Sequence, residues 1–345
     1  MGTGSEAPPF WWDKPDWRAW MLWPLSTLYG AVARFRMATA RSEKVPAAVL
    51  CVGNLSVGGE GKTPLAIALA KEARRLKLKP GFLSRGYGGS LSHPHLVDTD
   101  KDTARLVGDE PLLLARHAPT VVTADRAAGA RRLIKEGCDF IVMDDGFQSA
   151  RLHMDYALIA LDAARGIGNG HVIPGGPLRA PLVEQLRRAD ALVTMGEGEG
   201  AAMVVRRAAR AGKPIYAARV RPRGRHGLKG KRVLAFAGIG NPDKFYDTLR
   251  AVGAEVVATR SFPDHYPLNA HDAKDLLDQA ARDGLQLVTT EKDLARLGHG
   301  HGGRVLEKLV AATRPLPVDV VFETPDTLAR IVETALEAYR ERALS

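Results

Sequence analysis

The stretch PAAVLCVGNLSVGGEGKTPLAIALAKEA, residues 46–73, holds an apolar run, a glycine-rich turn and a helix-forming run in immediate succession. Residues 46–52 are short, apolar and of buried-strand type. The turn ends in GGEGKT, and the order strand, glycine-rich turn, helix is the context in which a phosphate-binding loop works. Gly58, Gly59 and Gly61 let backbone amides converge on phosphate oxygens, and Ser56, Val57 and Glu60 complete the loop. Lys62 is placed to reach the outer phosphates and Thr63 to offer its hydroxyl to Mg²⁺. The helix opening at Thr63 adds its positive dipole end. One position departs from GxxxxGK[ST]: Ser56 stands where the pattern has its first glycine.

A phosphate-binding loop needs an acid that holds a metal on a neighbouring strand. DFIVMDDG, residues 139–146, supplies four apolar residues and then Asp144 and Asp145. An acid at the carboxyl end of a buried parallel strand emerges beside the phosphates. Adjacent acids point different ways, so one of the two is expected to touch the metal directly. Guanine recognition asks for [NT]-K-x-D after a late strand. The nearest stretch, VTTEKDL at 288–294, has Lys292 and Asp293 adjacent and out of that register, which favours ATP.

Working outward, runs at 120–124, 139–144, 156–161, 190–194 and 214–219 read as strands with helical segments between several of them. This rhythm predicts an α/β fold: a P-loop, mostly parallel sheet with helices on both faces. Residues 206–232 carry eleven Lys or Arg and no acid, with Pro and Gly marking a boundary near 222–230. Three units are expected: an N-terminal membrane-interface segment at 1–40, a kinase core at 41–225, and a smaller C-terminal α/β domain at 226–345 closing over the nucleotide cleft.

The net charge of +10 favours acidic partners, but no nucleic-acid module or aromatic interleaving accompanies it. No nucleic acid and no obligate protein partner is expected. Cys51 and Cys138 sit in apolar runs without metal-site spacing and read as core residues of a reducing compartment. Acids near the start argue against a secretory signal, and no segment offers about 18 uninterrupted apolar residues. All five tryptophans fall between residues 11 and 23, followed by Arg34, Arg36 and Arg41. Such a segment suits either a membrane interface or a helix packed on the protein's own body.

Taken in order, several stretches carry a resemblance: PPFWW at 8–12, LYG at 28–30, VGNLSVGGEGKTP, SRGYGG at 84–89 and VGDEPLLLA at 107–115. DDGFQ at 144–148, GNGHVIPGGPLR at 168–179, FAGIGNPDKF at 236–245, FPDHYPL at 262–268 and TTEKDLARL at 289–297 follow. Together they resemble the tetraacyldisaccharide 4′-kinase family. The resemblance implies transfer of the γ-phosphoryl of ATP to the 4′-hydroxyl of a tetraacyl glucosamine disaccharide 1-phosphate in lipid A biosynthesis. It implies ATP and Mg²⁺ as cofactors, and a peripheral enzyme on the cytoplasmic face of the inner membrane that meets an anionic surface through its tryptophan-rich segment.

The resemblance also assigns site residues. Asp109 matches the proton-accepting base and His265 its partner from the second domain. Asp109 can also be read as an N-cap on the helix that follows it. Glu110 is a candidate metal ligand beside Thr63, Asp144 and Asp145, and Lys62 acts on the transferring phosphate. Arg85, Gln148 and Arg179 are candidate substrate contacts, Arg179 for the 1-phosphate, since a guanidinium grips phosphate in a forked geometry. Ser149 stands where the family commonly has histidine, so no acceptor contact is carried over to it.

Overall fold

The computed structural model describes residues 7–58, 61–86, 89–91, 93–149, 151–224, 227–298 and 303–344. Among the described residues thirteen strands form two sheets. The first eight are β1 (Ala48–Asn54), β2 (Pro80–Ser84), β3 (His95–Leu96), β4 (Thr120–Val122), β5 (Phe140–Asp144), β6 (Tyr156–Asp162), β7 (Ala191–Met195) and β8 (Ile215–Pro222). The others are β9 (Arg232–Ala237), β10 (Glu255–Ser261), β11 (Gln286–Thr290), β12 (Thr313–Leu316) and β13 (Val318–Phe322). The larger sheet runs β13-β8-β7-β6-β1-β5-β2-β4-β3, and the smaller β10-β9-β11-β12. Pairing is parallel except at the two edges of the larger sheet, β13 on β8 and β3 on β4.

The strands at the centre of the larger sheet are apolar throughout because both of their faces are covered. Successive side chains alternate sides. Leu50 and Val52 of β1, Phe140 and Val142 of β5, and Leu158 and Ala160 of β6 enter one core with the Lys62–Arg75 helix. Val49, Cys51, Ile141, Met143, Ile159 and Leu161 enter the other, beneath the Arg126–Lys135, Leu182–Arg188 and Ala202–Arg210 helices. Cys51 and Cys138 are both buried and unbridged, and burial raises their thiols to about 12 and about 11, as packing residues should be. Parallel pairing brings the ends of β1, β2, β5 and β6 to one edge, where Asn54, Ser84, Asp144 and Asp162 stand.

The expected 226–345 unit is not contiguous in space. β9 to β12 build the smaller sheet, but β13 returns to pair with β8, and the Thr327–Leu344 helix buries Ile331, Val332 and Ala335 in the core of the larger sheet. Two needs draw the chain back. Without β13, β8 would be an open edge strand. Without the last helix, the face beside the Lys62–Arg75 helix would be uncovered.

Candidate active site

The phosphate-binding loop is fastened to the segment 168–179. Val57 N–H donates to Pro177 O at 2.9 Å, Arg179 N–H donates to Leu55 O at 3.0 Å, and Ser56 forms an antiparallel bridge with Leu178. Residue 56 needs no glycine: among the described residues of the loop, positive φ angles fall on Gly58 (136°) and Gly61 (78°), not on Ser56. Asn54 Nδ2 and Lys62 Nζ both donate to Gly58 O, at 3.0 and 3.2 Å. Gly61 caps the Lys62–Arg75 helix, and a Cβ there would lie 2.9 Å from Met195 Cε. Lys62 is buried, with Nζ 3.5 Å from Asp145 Oδ1. Gly59 and Glu60 lie outside the described residues.

Asp144 and Asp145 meet different surroundings. Thr63 Oγ1 donates to Asp144 Oδ2 at 3.3 Å, while Asp144 Oδ1 is buried without a partner. Burial, with Glu110 nearby, raises the Asp144 carboxyl to about 7. Asp145 has a left-handed backbone (φ 54°) that turns it toward Arg179, whose Nη1 and Nη2 donate to its two oxygens at 2.6 and 3.1 Å. Burial alone would raise Asp145; Lys62 and Arg179 outweigh it and hold the carboxyl at about 2. The fork of Arg179, expected on the acceptor phosphate, thus serves Asp145. Gln148 is likewise engaged within the site: its Nε2 donates to Asn54 O at 2.8 Å and to Gln185 Oε1 at 3.1 Å.

An orphaned carboxylate oxygen beside a threonine hydroxyl fits Mg²⁺, which takes one or two carboxylates and completes its shell with water and substrate phosphates. Among the described residues no group of three His, Cys, Asp or Glu forms a protein-only metal cage.

Asp109 does not cap its helix. Gly108 occupies the cap position at φ 91° without a side-chain cap bond, and Asp109 is the first helical residue. Its carboxylate is buried and turned to the part of the chain that builds the smaller sheet, where Oδ2 meets His265 Nδ1 at 3.0 Å and Arg296 Nη1 at 3.0 Å. Burial opposes ionisation, but the hydrogen bond to His265 and the charges of Arg296 and Lys292 outweigh it, so the carboxyl lies below its usual range. His265 adopts φ 60°, uncommon for a residue with a Cβ, and its N–H donates to Gly238 O at 3.3 Å. Glu110 Oε1 lies 3.4 Å from Lys292 Nζ. Arg85 follows β2 at the same sheet edge and is exposed.

The tryptophan-rich stretch divides. Trp11 is buried and its Nε1 donates to Pro174 O at 3.0 Å, whereas Trp17, Trp20 and Trp23 are 69, 61 and 52 % exposed. Two helices, Trp17–Met21 and Trp23–Thr39, bury the small residues Ala19, Ser26 and Gly30, with Met37 near the end of the second. Ser26 Oγ accepts from Gly175 N–H at 2.9 Å, and Gly30 packs beside Pro181. The opposite side shows Trp17, Met21, Leu25, Leu28, Val32 and Phe35 to solvent at helical spacing. A cavity of about 510 Å³ lies between this helix and segment 169–184, lined by Trp23, Ser26, Arg34, His171 and Glu184 among others. No helix of the described residues is long and apolar enough to cross a membrane.

Three basic residues at the site carry no role in the sequence reading. Arg126 is buried at 2 % exposure, its Nη2 3.4 Å from Asp145 O and its Nη1 without a hydrogen-bond partner. Lys292 and Arg296 lie one helical turn apart on the Glu291–Gly298 helix and meet Glu110 and Asp109. The only signal for the last two was the TTEKDLARL stretch itself.

Residues 18–337 match the model of a family described as tetraacyldisaccharide-1-P 4′-kinase. The chain is 62 % identical over 342 residues to the tetraacyldisaccharide 4′-kinase of Chelativorans sp. (strain BNC1), covering 99 % of both. It is 58 % identical over 341 residues to that of Mesorhizobium japonicum, again covering 99 % of both. It is also similar to the crystal structure of an "apo" form of LpxK from Aquifex aeolicus in complex with ATP, at 28 % identity and a TM-score of 0.70, over 92 % of this chain and 99 % of that one.

Proposed function

The chain belongs to the tetraacyldisaccharide 4′-kinase family of lipid A biosynthesis, and from that premise we propose how its own residues perform the transfer of the γ-phosphoryl of ATP to the acceptor's 4′-hydroxyl. The observation that carries the reading is a pair of half-sites linked by Glu110, which follows Asp109 in the chain and whose charge acts on Asp144. One is Lys62 and Thr63 beside Asp144; the other is Asp109 joined to His265 across the domains.

The phosphate-binding loop, with Ser56, Val57, Gly58, Gly61, Lys62 and Thr63, holds the ATP phosphates, and Lys62 stabilises charge on the transferring group. Thr63 and Asp144, with Glu110 nearby, would hold the metal. Bound Mg²⁺ supplies neutralisation of the phosphate oxygens. Asp145, gripped by Arg179 and Lys62, fixes the direction of the lysine rather than the metal. The Asp109–His265 pair accepts the proton of the 4′-hydroxyl as the new O–P bond forms and the bond from the γ-phosphorus to the bridging oxygen breaks, with ADP leaving. Arg85, exposed at the same edge, is a cation for the acceptor's phosphate, and Gln148 with Arg179 lines the route.

The acceptor is a lipid, and the outward apolar stripe from Trp17 to Phe35 is the surface that meets it in the bilayer. With Arg34, Arg36 and Arg41 nearby, the stripe places the enzyme on an anionic leaflet as a peripheral protein. We assign that leaflet to the cytoplasmic face of the inner membrane, where ATP is available.

The test is product mass from enzyme, MgATP and tetraacyl disaccharide 1-phosphate. A gain of one phosphoryl group at the 4′ position is expected, and ATP hydrolysis without a phosphorylated sugar would overturn the assignment. Lys62→Ala should abolish most transfer with folding retained by circular dichroism; turnover near wild type would remove Lys62 from the site.

A further inference from the structure

We propose that Arg296 is a positioning residue for the transfer: it fixes the Asp109 carboxylate from the second domain and so makes the base competent only when the two domains meet. The proposal rests on the reading of Asp109 as the proton acceptor. Arg296 is 6 % exposed and reaches Asp109 Oδ2 at 3.0 Å, the same oxygen that His265 Nδ1 approaches at 3.0 Å. With two second-domain groups bound to Oδ2, Oδ1 is the oxygen left to take the hydroxyl proton.

Arg296 is itself held rigidly. Its Nη2 pairs with Asp293, which is fully buried and also accepts from Gly238 N–H at 3.2 Å and Thr290 Oγ1 at 2.8 Å. Both terminal nitrogens lie 3.4 Å from Gly238 O. A Cβ at Gly238 would come within 2.7 Å of Arg296 Nη2, so a side chain there would displace the guanidinium. His265 N–H donates to the same Gly238 carbonyl, at 3.3 Å. One backbone carbonyl therefore sets both groups that bind Asp109. A guanidinium orients a carboxylate by its planar donors, which a lysine cannot reproduce.

The alternative is that Arg296 serves only the fold of the second domain, through Asp293. Two variants separate the readings. Arg296→Lys keeps the charge and loses the planar donors; Asp293→Asn with Arg296→Gln removes both charges of the internal pair and keeps a donor toward Asp109. Single-turnover transfer, KM for ATP, KM for the lipid acceptor and thermal melts are measured for each, alone and with Asp109→Asn. A displaced base commonly costs about 10- to 100-fold in rate.

The expected result is a fall of that size in the transfer rate for Arg296→Lys, with both KM values within about 3-fold of wild type. In the Asp109→Asn background the substitution should have little further effect, because it acts through that carboxylate. A wild-type rate in Arg296→Lys, or an undiminished loss in the Asp109→Asn background, would overturn the proposal. So would failure of both variants to fold, since a structural role then accounts for Arg296. If Asp109→Asn itself retains the wild-type rate, the base reading fails instead, whatever Arg296 does.

Discussion

Asp144 and Asp145 are consecutive in the chain, yet one carboxyl is raised to about 7 and the other lowered to about 2. The difference lies in neighbours, not in residue type. Strand geometry leaves Asp144 at the end of β5 among buried groups, and the left-handed turn at Asp145 delivers the next carboxylate to Arg179 and Lys62. Sequence alone could place two acids here but could not divide their work, because Arg179 is 34 residues away. Asp162 offers a test of the same logic at the interface between the sheets. It ends β6, accepts from the N–H groups of Ala164 and Arg165, and pairs with Lys244 of the second domain. Burial would raise its carboxyl, but Lys244 and those amides outweigh burial and lower it. A depressed folded pKa contributes stability above the unfolded value, here 3.8, and loses that contribution as pH falls through the folded value. The gap in urea midpoint between wild type and Asp162→Asn should therefore be full near about pH 7 and narrow progressively as pH falls below the unfolded value of 3.8. A gap that stays constant over this range would show that the charge of Asp162 is not what stabilises the fold.

At the scale of elements, β1 and the helix after it were legible because their signals are local: an unbroken apolar run, then glycines, then Lys62 and Thr63. The segment 7–40 was legible only in part. Its aromatic content announced a special surface, but the division into a buried Trp11 and outward Trp17, Trp20 and Trp23 depends on segment 168–181, which supplies Pro174 and Gly175 as partners. The small residues that face the protein, Ser26 and Gly30, are the reason the long apolar side chains face away. Since Leu25, Leu28 and Val32 are 56, 64 and 50 % exposed, replacing all three by Gln should change stability by only about 0.5 kcal/mol or less per site. The same triple variant should partition several-fold less onto anionic vesicles in a sedimentation assay, while ATP affinity is unchanged. Unaltered vesicle binding, with unaltered melting, would show that the stripe is not the membrane-facing surface.

Across the whole molecule, the larger sheet is closed by residues that come last in the chain. Nothing local in the run VDVVF tells that its partner is β8, about a hundred positions earlier, rather than β12, which it follows directly. The Thr327–Leu344 helix then ends beside the start of β1. Arg342 Nε and Nη2 donate to the Asp155 carboxylate at 2.6 and 3.1 Å, and Nη2 lies 3.2 Å from both Val45 O and Ala47 O. Asp155 is fully buried in its side chain and also accepts from Val49 N–H at 2.8 Å. The end of the chain is thereby tied to the strand that feeds the phosphate-binding loop. Arg342→Met would leave a buried carboxylate without its cation, and breaking a buried pair from one side costs about 3–5 kcal/mol. Denaturant unfolding should show that loss. Adding Asp155→Asn should recover part of it, because the unpaired charge is gone while an acceptor for Val49 remains. If the C-terminal region instead folded as an independent unit over 226–345, Arg342→Met would cost about 1 kcal/mol or less, as an exposed pair does. A loss that small, or a double variant weaker than Arg342→Met, would disprove the tie between the last helix and β1.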